Sequence, residues 1–99
     1  MNRFRLSKES IADLSEIWDY IAEDNLDSAD RLLDKFYETF ADIAERPTIG
    51  HKREDLTSQN VLFWPIDSYL VIYKPDSSPL QIVAVLHGRR NVKSILRKR

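Results

Sequence analysis

Apolar residues recur at helical spacing in the first half of the chain. One stripe consists of Ile11, Leu14, Trp18 and Ile21. Their three- and four-residue spacing predicts an amphipathic helix over residues 8–24, with Ser7 as its N-cap. A second stripe consists of Ala29, Leu33, Phe36, Phe40 and Ile43. It predicts a second helix that begins after a cap at Asp27 or Ser28 and ends before Pro47.

The pattern changes after the polar loop 46–60. Three short runs rich in β-branched and aromatic residues follow at 61–66, 69–74 and 80–87, which predicts three strands. Asp67-Ser68 fits a tight hairpin turn, and Pro65 places the first of these strands toward the sheet edge. A short extended segment over 3–7 precedes the helices, and a short helix is predicted over 91–98.

These elements predict a single α+β domain over residues 1–99, with the order β-α-α-β-β-β. A tight linker joins the two helices and makes them an antiparallel hairpin packed on a small, mainly antiparallel sheet. Strict alternation gives the last two strands two apolar faces, with Ile82, Ala84 and Leu86 together on one of them. One hairpin covers one face only, so the other is either open to a partner or covered by loop 46–60 and the C-terminal tail.

Composition narrows the function classes. The chain has 99 residues, 42% of them hydrophobic and 31% charged, as in one globular domain. It has no cysteine, which excludes disulfides and thiolate chemistry, and with two histidines we expect no metal and no cofactor. No apolar run approaches the roughly 20 residues that span a bilayer, and no signal peptide is recognisable. We therefore expect no membrane partner and a cytoplasmic location.

Charge is strongly asymmetric although the net charge is −1. Residues 1–45 hold 5 Lys/Arg and 12 Asp/Glu, a net of −7, whereas residues 46–99 hold 10 and 4, a net of +6. Six basic residues and no acidic residue lie within 89–99. Such asymmetry indicates a basic binding end, and the alternative is a solvated tail.

Four segments carry a resemblance to a known family. They are "FRLSKESIADLSEIWDYIAE", "RPTIGHKREDL", "YLVIYKP" and "IVAVLHGRRN", in this order over residues 3–91. Together they resemble the RelE/ParE toxin superfamily, and most closely its ParE-like branch. The resemblance implies the toxin of a bacterial type II toxin–antitoxin pair, of the kind that serves plasmid maintenance. Such a toxin binds and poisons DNA gyrase, blocks replication, and is neutralised by a ParD-like antitoxin.

On this interpretation the chain acts by occupancy and has no catalytic residues. We expect contact with DNA gyrase through Arg53, Arg89, Arg90, Lys93 and Arg97, and contact with nucleic acid only within the target complex. We expect the antitoxin to contact the open sheet face and the helix-hairpin groove, with Trp64, Tyr69 and Tyr73 as candidate anchors.

The alternative function is that of a RelE-type, ribosome-dependent messenger RNA endoribonuclease. Its catalytic set is Arg53, His87 and Arg90, because a histidine can transfer protons and arginines can hold a phosphate. Against it, few basic residues lie in loop 46–60 and no tyrosine follows His87.

His87 is equally explained as a polar cap at a strand end, and Arg53 as a partner of Asp55. Gly88 is expected to supply a positive φ or a close backbone approach. A third alternative is a toxin fold that has lost toxicity.

Overall fold

The computed structural model describes residues 3–99, which form four strands and three helices. The elements are β1 (Phe4–Leu6), α1 (Lys8–Ala22), α2 (Leu26–Glu45), β2 (Leu62–Ile66), β3 (Tyr69–Lys74), β4 (Leu80–His87) and α3 (Val92–Arg97). The predicted order β-α-α-β-β-β and the short C-terminal helix are confirmed. Within this part of the chain, no helix is long and apolar enough to cross a membrane.

The helix caps follow local sequence chemistry. The Ser7 side chain accepts a hydrogen bond from the Ser10 N–H, so Ser7 is the N-cap of α1 as predicted. The second helix begins earlier than predicted, because Asn25 caps α2 by accepting a hydrogen bond from the Ser28 N–H. An asparagine carboxamide is as good a cap as the aspartate or serine that follows it.

The four strands form one sheet in the order β1-β4-β3-β2. β2, β3 and β4 are antiparallel neighbours, whereas β1 pairs in parallel with the first part of β4. As Pro65 predicted, β2 lies at an edge. The tight turn between β2 and β3 contains Asp67, whose φ of 52° is the left-handed conformation that such turns require.

The face of the sheet under the helix hairpin carries the first core cluster. Its buried members include Leu14, Phe36, Phe40 and Ile43 from the helices and Val71, Tyr73, Ile82 and Val85 from the sheet. Ile11, which the stripe had assigned to this core, is instead 55% exposed. Trp18 is only half-buried, and its Nε1 donates a hydrogen bond to Asp30.

The second face is covered rather than open. Val61 and the half-buried Leu56 come from loop 46–60, and Val92 and Leu96 come from α3. They pack on Phe63, Ile72, Ala84 and Leu86 of the sheet. Of the two sequence alternatives, the structure therefore has the one in which the loop and the tail complete the domain.

The prediction that side chains alternate strictly between the two faces along β4 was wrong at one position. Ile72 pairs with Ala84 and Tyr73 pairs with Ile82, so the register skips Val83. A bulge of this kind moves the following residues to the opposite face. Ile82 consequently packs in the first cluster, while Ala84 and Leu86 pack in the second.

Candidate functional site

The helix α3 presents its cations outward because its apolar residues hold it on the sheet. Val92 and Leu96 are buried, at 3% and 2% exposure, whereas Lys93 and Arg97 are exposed. The Asn91 side chain caps the helix by accepting a hydrogen bond from the Ser94 N–H. The basic tail is therefore a folded element of the domain.

Loop 46–60 lies against the same helix. The side-chain amide of Gln59 donates a hydrogen bond to the Leu96 carbonyl at 3.1 Å, which joins loop and helix. Between them lies a cleft of about 240 Å³, which we call the basic cleft. It is lined by Leu56, Thr57, Ser58, Gln59, Lys93 and Arg97.

Most of the C-terminal cations have no internal partner. Within residues 3–99, no ion pair involves Arg89, Arg90, Lys93, Arg97 or Lys98. All five are exposed. Four of these five were predicted to contact the target, and the structure leaves all four available for an external anion.

Arg53 differs from those four residues. Its guanidinium donates two hydrogen bonds to the Asp55 carboxylate, at 3.0 and 2.9 Å. This hydrogen bonding raises the pKa of Arg53 and lowers the pKa of Asp55, and Lys93 adds a smaller attraction that also lowers the pKa of Asp55. Arg53 is thus engaged as a brace of the loop, although its side chain is 44% exposed.

His87 caps the end of its strand. Its Nδ1 accepts a hydrogen bond from the Arg89 N–H at 3.1 Å, while the His87 carbonyl accepts one from the Arg90 N–H. The ring packs edge-on against Tyr69, with 5.2 Å between centroids. Burial raises the pKa of Tyr69, and the neighbouring Tyr20 and Asp67 raise it further.

Gly88 has neither of the two expected reasons for being glycine. No described glycine has a positive φ, and a Cβ at Gly88 would meet the Ser68 carbonyl at an ordinary 3.5 Å. Gly50 is the glycine that the packing requires. A Cβ there would lie 2.5 Å from the Tyr73 hydroxyl and 2.9 Å from Leu62 Cβ.

The alternative ribonuclease set is divided between the two faces of the sheet. His87 packs on Tyr69, which belongs to the first cluster under the helices. Arg53 instead lies in the loop whose Leu56 and Val61 pack in the second cluster. His87 and Arg53 are thus associated with different core clusters of the sheet.

The three predicted antitoxin anchors are not equivalent. Tyr73 is fully buried, and its hydroxyl donates to the Pro47 carbonyl and accepts from the Gly50 N–H, so it belongs to the core and offers no surface to a partner. Trp64 is half-buried and stacks on His51, with 6.1 Å between ring centroids. Tyr69 is half-buried as well.

Exposed apolar residues lie elsewhere, on the helix hairpin. Ile11 and Tyr37 are 55% and 42% exposed and border a groove beside β1. The groove measures about 560 Å³ and is lined by Phe4, Arg5, Leu6, Ile11, Tyr37 and Pro79. Neither Ile11 nor Tyr37 was among the predicted anchors, because the helical stripe placed Ile11 in the core and does not include Tyr37.

A buried ion pair was also overlooked. Asp13, 5% exposed, accepts hydrogen bonds from the Val85 N–H and from both terminal nitrogens of Arg99. The hydrogen bonds with Asp13 raise the pKa of Arg99, and Glu9 and Glu16 add weaker attractions. The sequence signal was an aspartate inside the apolar stripe, one residue before Leu14.

Comparison with known proteins agrees with this architecture. The family described as the ParE toxin of the type II toxin–antitoxin system parDE matches residues 4–92, and the chain belongs to this family. Among solved structures it is similar to one described as a chromosomal ParDE toxin–antitoxin system from P. aeruginosa. That match has a TM-score of 0.70 and 15% identity, and covers 85% of this chain and 92% of the other. None of the curated proteins compared with the chain matches it.

Proposed function

We propose that this ParE-family toxin binds DNA gyrase and poisons it, so that replication stops. The toxin acts by occupying its target and performs no chemistry of its own. The observation that supports this most directly is the run of free cations Arg89, Arg90, Lys93, Arg97 and Lys98 on a folded, exposed element. The association of His87 and Arg53 with different core clusters supports a binding role over the RelE-type nuclease alternative.

The appropriate test replaces charged side chains of the C-terminal segment and leaves its packing in place. Deletion of residues 89–99 would also remove Val92 and Leu96 from the second cluster, so a lost activity would report unfolding. Arg89→Gln/Arg90→Gln leaves the packing intact, since both side chains are exposed. Its matched control is Arg31→Gln/Lys35→Gln, which removes the same charge from α2 and, with it, the exposed Lys35–Asp67 ion pair and the Arg31–Ser28 hydrogen bond.

The measurement is DNA and protein synthesis after induction in bacteria without antitoxin, followed by a cleavage-complex assay with purified gyrase. We expect wild type and control to stop DNA synthesis first and to stabilise cleaved DNA. The Arg89/Arg90 variant should lose most of this effect, and His87→Ala should keep it. Collapse of translation before replication, abolished by His87→Ala, would replace gyrase poisoning with ribonuclease action.

The proposal includes neutralisation by a ParD-like antitoxin. The second sheet face is covered, so the surface left for an apolar partner segment is the groove beside β1. Ile11→Asp/Tyr37→Asp should therefore weaken antitoxin binding while leaving toxicity intact. Trp64→Ala serves as the comparison, because Trp64 lies on the opposite edge strand. If Trp64→Ala weakens binding and the groove variant does not, the antitoxin binds at β2.

A further inference from the structure

The proposed function does not specify whether the free cations contact gyrase itself or the DNA that it holds. The chemistry of the basic cleft favours one of these two partners. Lys93 and Arg97 are four residues apart on α3, so they project from the same side of the helix, about 6 Å apart along its axis. Loop residues Thr57, Ser58 and Gln59 form the opposite wall. The cleft thus combines two cations with hydroxyl and amide groups, which are the groups that contact phosphate oxygens.

Internal acids do not neutralise these cations. Asp55 is the acid close to Lys93, but two hydrogen bonds from Arg53 engage its carboxylate. On the other side of α3, Glu9 lies beside Lys98 and Arg99, outside the basic cleft, and Asp13 is paired with Arg99. Lys93 and Arg97 therefore keep their charge for an external anion.

The chemistry of the surface distinguishes between classes of partner. Protein interfaces are built around buried aromatic or apolar anchors, and single-stranded nucleic acids need aromatic side chains for base stacking. In the described residues, the exposed large apolar side chains are Ile11, Tyr20, Leu26 and Tyr37, which all lie on α1 and α2. The basic cleft has none. A surface with cations and polar donors but without anchors fits the backbone of duplex DNA, which is bound mainly through its phosphates.

The distribution of charge along the chain also favours contact with DNA at the basic cleft. Residues 3–45, which include β1 and the helix hairpin, carry a net charge of −7, and residues 46–99 carry +6. A phosphate backbone repels the first part and attracts the second, so an approaching duplex meets the molecule at α3.

We propose that the basic cleft binds the phosphate backbone of duplex DNA, with Lys93 and Arg97 as the phosphate contacts. This inference rests on the proposed function, in which the duplex is the DNA segment held by gyrase. It specifies that the toxin touches the DNA directly in addition to the enzyme.

The test is binding of the full chain to a fluorescent 30-base-pair duplex, followed by anisotropy over a series of salt concentrations. Each phosphate contact contributes about 0.9 to the slope of log affinity against log salt. Lys93→Gln/Arg97→Gln should therefore weaken binding and flatten the slope by about 2. Arg31→Gln/Lys35→Gln is the matched control, because it removes one arginine and one lysine at the same helical spacing from α2.

A gyrase cleavage-complex assay on the same variants separates this inference from the proposed function. Loss of DNA affinity and of poisoning in the Lys93/Arg97 variant, with both retained in the control, supports the inference. It is overturned if the wild-type chain poisons gyrase but does not bind the duplex, or if the Lys93/Arg97 variant loses affinity for isolated gyrase and not for DNA. Salt-dependent DNA binding without any effect on gyrase would retain the phosphate contact and refute the proposed function.

Discussion

Gly50 occupies the point where loop 46–60 passes over the Tyr73 ring. Gly50→Ala places a Cβ 2.5 Å from the Tyr73 hydroxyl, which has to move and lose its hydrogen bonds to Pro47 and Gly50. We expect a loss of about 1–3 kcal/mol in the free energy of unfolding, as is usual for overpacking. Urea denaturation measures it. Gly88→Ala is the control, since its Cβ has room, and an equal loss in both variants would contradict this account.

The Tyr73 phenol makes stability depend on pH. Burial raises its pKa, and the hydrogen bond from the Gly50 N–H partly offsets the rise. Because the unfolded chain releases this proton at the ordinary tyrosine pKa of about 10, the folded chain holds it to higher pH. The stability is therefore complete below pH ~10 and decreases as the pH rises toward the folded value.

Comparison of unfolding free energies from pH 8 to 11 tests this dependence. Tyr73→Phe should be less stable at pH 8 by about 1–3 kcal/mol, because the Pro47 carbonyl and the Gly50 N–H lose their partner. Its stability should also fall less steeply above pH 10 than that of wild type. Tyr37→Phe, at a 42% exposed position, is the control and should keep the wild-type slope. Parallel slopes for Tyr73→Phe and wild type would refute the role of this phenol.

At the scale of elements, apolar packing and an ion pair both hold α3 on the domain. Val92 and Leu96 bury its apolar side, and just beyond its C-terminus Arg99 pairs with Asp13 of α1. The same carboxylate accepts from the Val85 N–H in β4, beyond the point where β1 stops pairing. One buried aspartate thus joins α1, β4 and the C-terminal segment.

Arg99→Ala should reveal the strength of this connection. The Asp13–Arg99 side chains are 5% and 18% exposed, so loss of the arginine leaves a buried carboxylate poorly compensated and should cost about 2 kcal/mol. Arg53→Ala breaks an arginine–aspartate pair with similar geometry but high exposure, and should cost clearly less stability than Arg99→Ala. Thermal unfolding of both variants measures the difference. Equal shifts in Tm would mean that Arg99 does not fasten α3.

The elements could be predicted from sequence because each follows a local rule. Helical spacing identified α1 and α2, and β-branched runs with turn signals identified β2, β3 and β4. The features that the sequence did not predict depend on contacts between residues far apart in the chain. The skipped Val83 depends on how β4 meets both of its neighbours, and the burial of Asp13 depends on an arginine 86 residues away. Such pairings leave no periodicity in the sequence.

At the scale of the whole molecule, the sequence left open what covers the second face of the sheet. Its apolar character was readable, but a partner and the chain's own tail satisfy the same pattern equally well. The structure has loop 46–60 and the tail in that place, which buries Ile72, Ala84 and Leu86 and leaves the candidate cations Lys93 and Arg97 exposed on α3. The candidate cations were predictable from charge alone. Their grouping with Thr57, Ser58 and Gln59 required the fold.

The two proposed surfaces of the whole molecule should respond differently to ionic strength. The proposed antitoxin binding in the groove beside β1 would depend on apolar contacts with Ile11 and Tyr37, which salt screens little. Binding to the gyrase–DNA complex through the free cations releases counterions from DNA, so it should weaken steeply with salt. Titrations of the chain with purified antitoxin and with gyrase–DNA, over a salt range of about 50 to 300 mM in which the screening length falls by a factor of about 2.4, measure both salt dependences. Equal salt slopes would mean that the antitoxin also covers the basic cleft, and neutralisation would then be direct competition for the cations that bind the target.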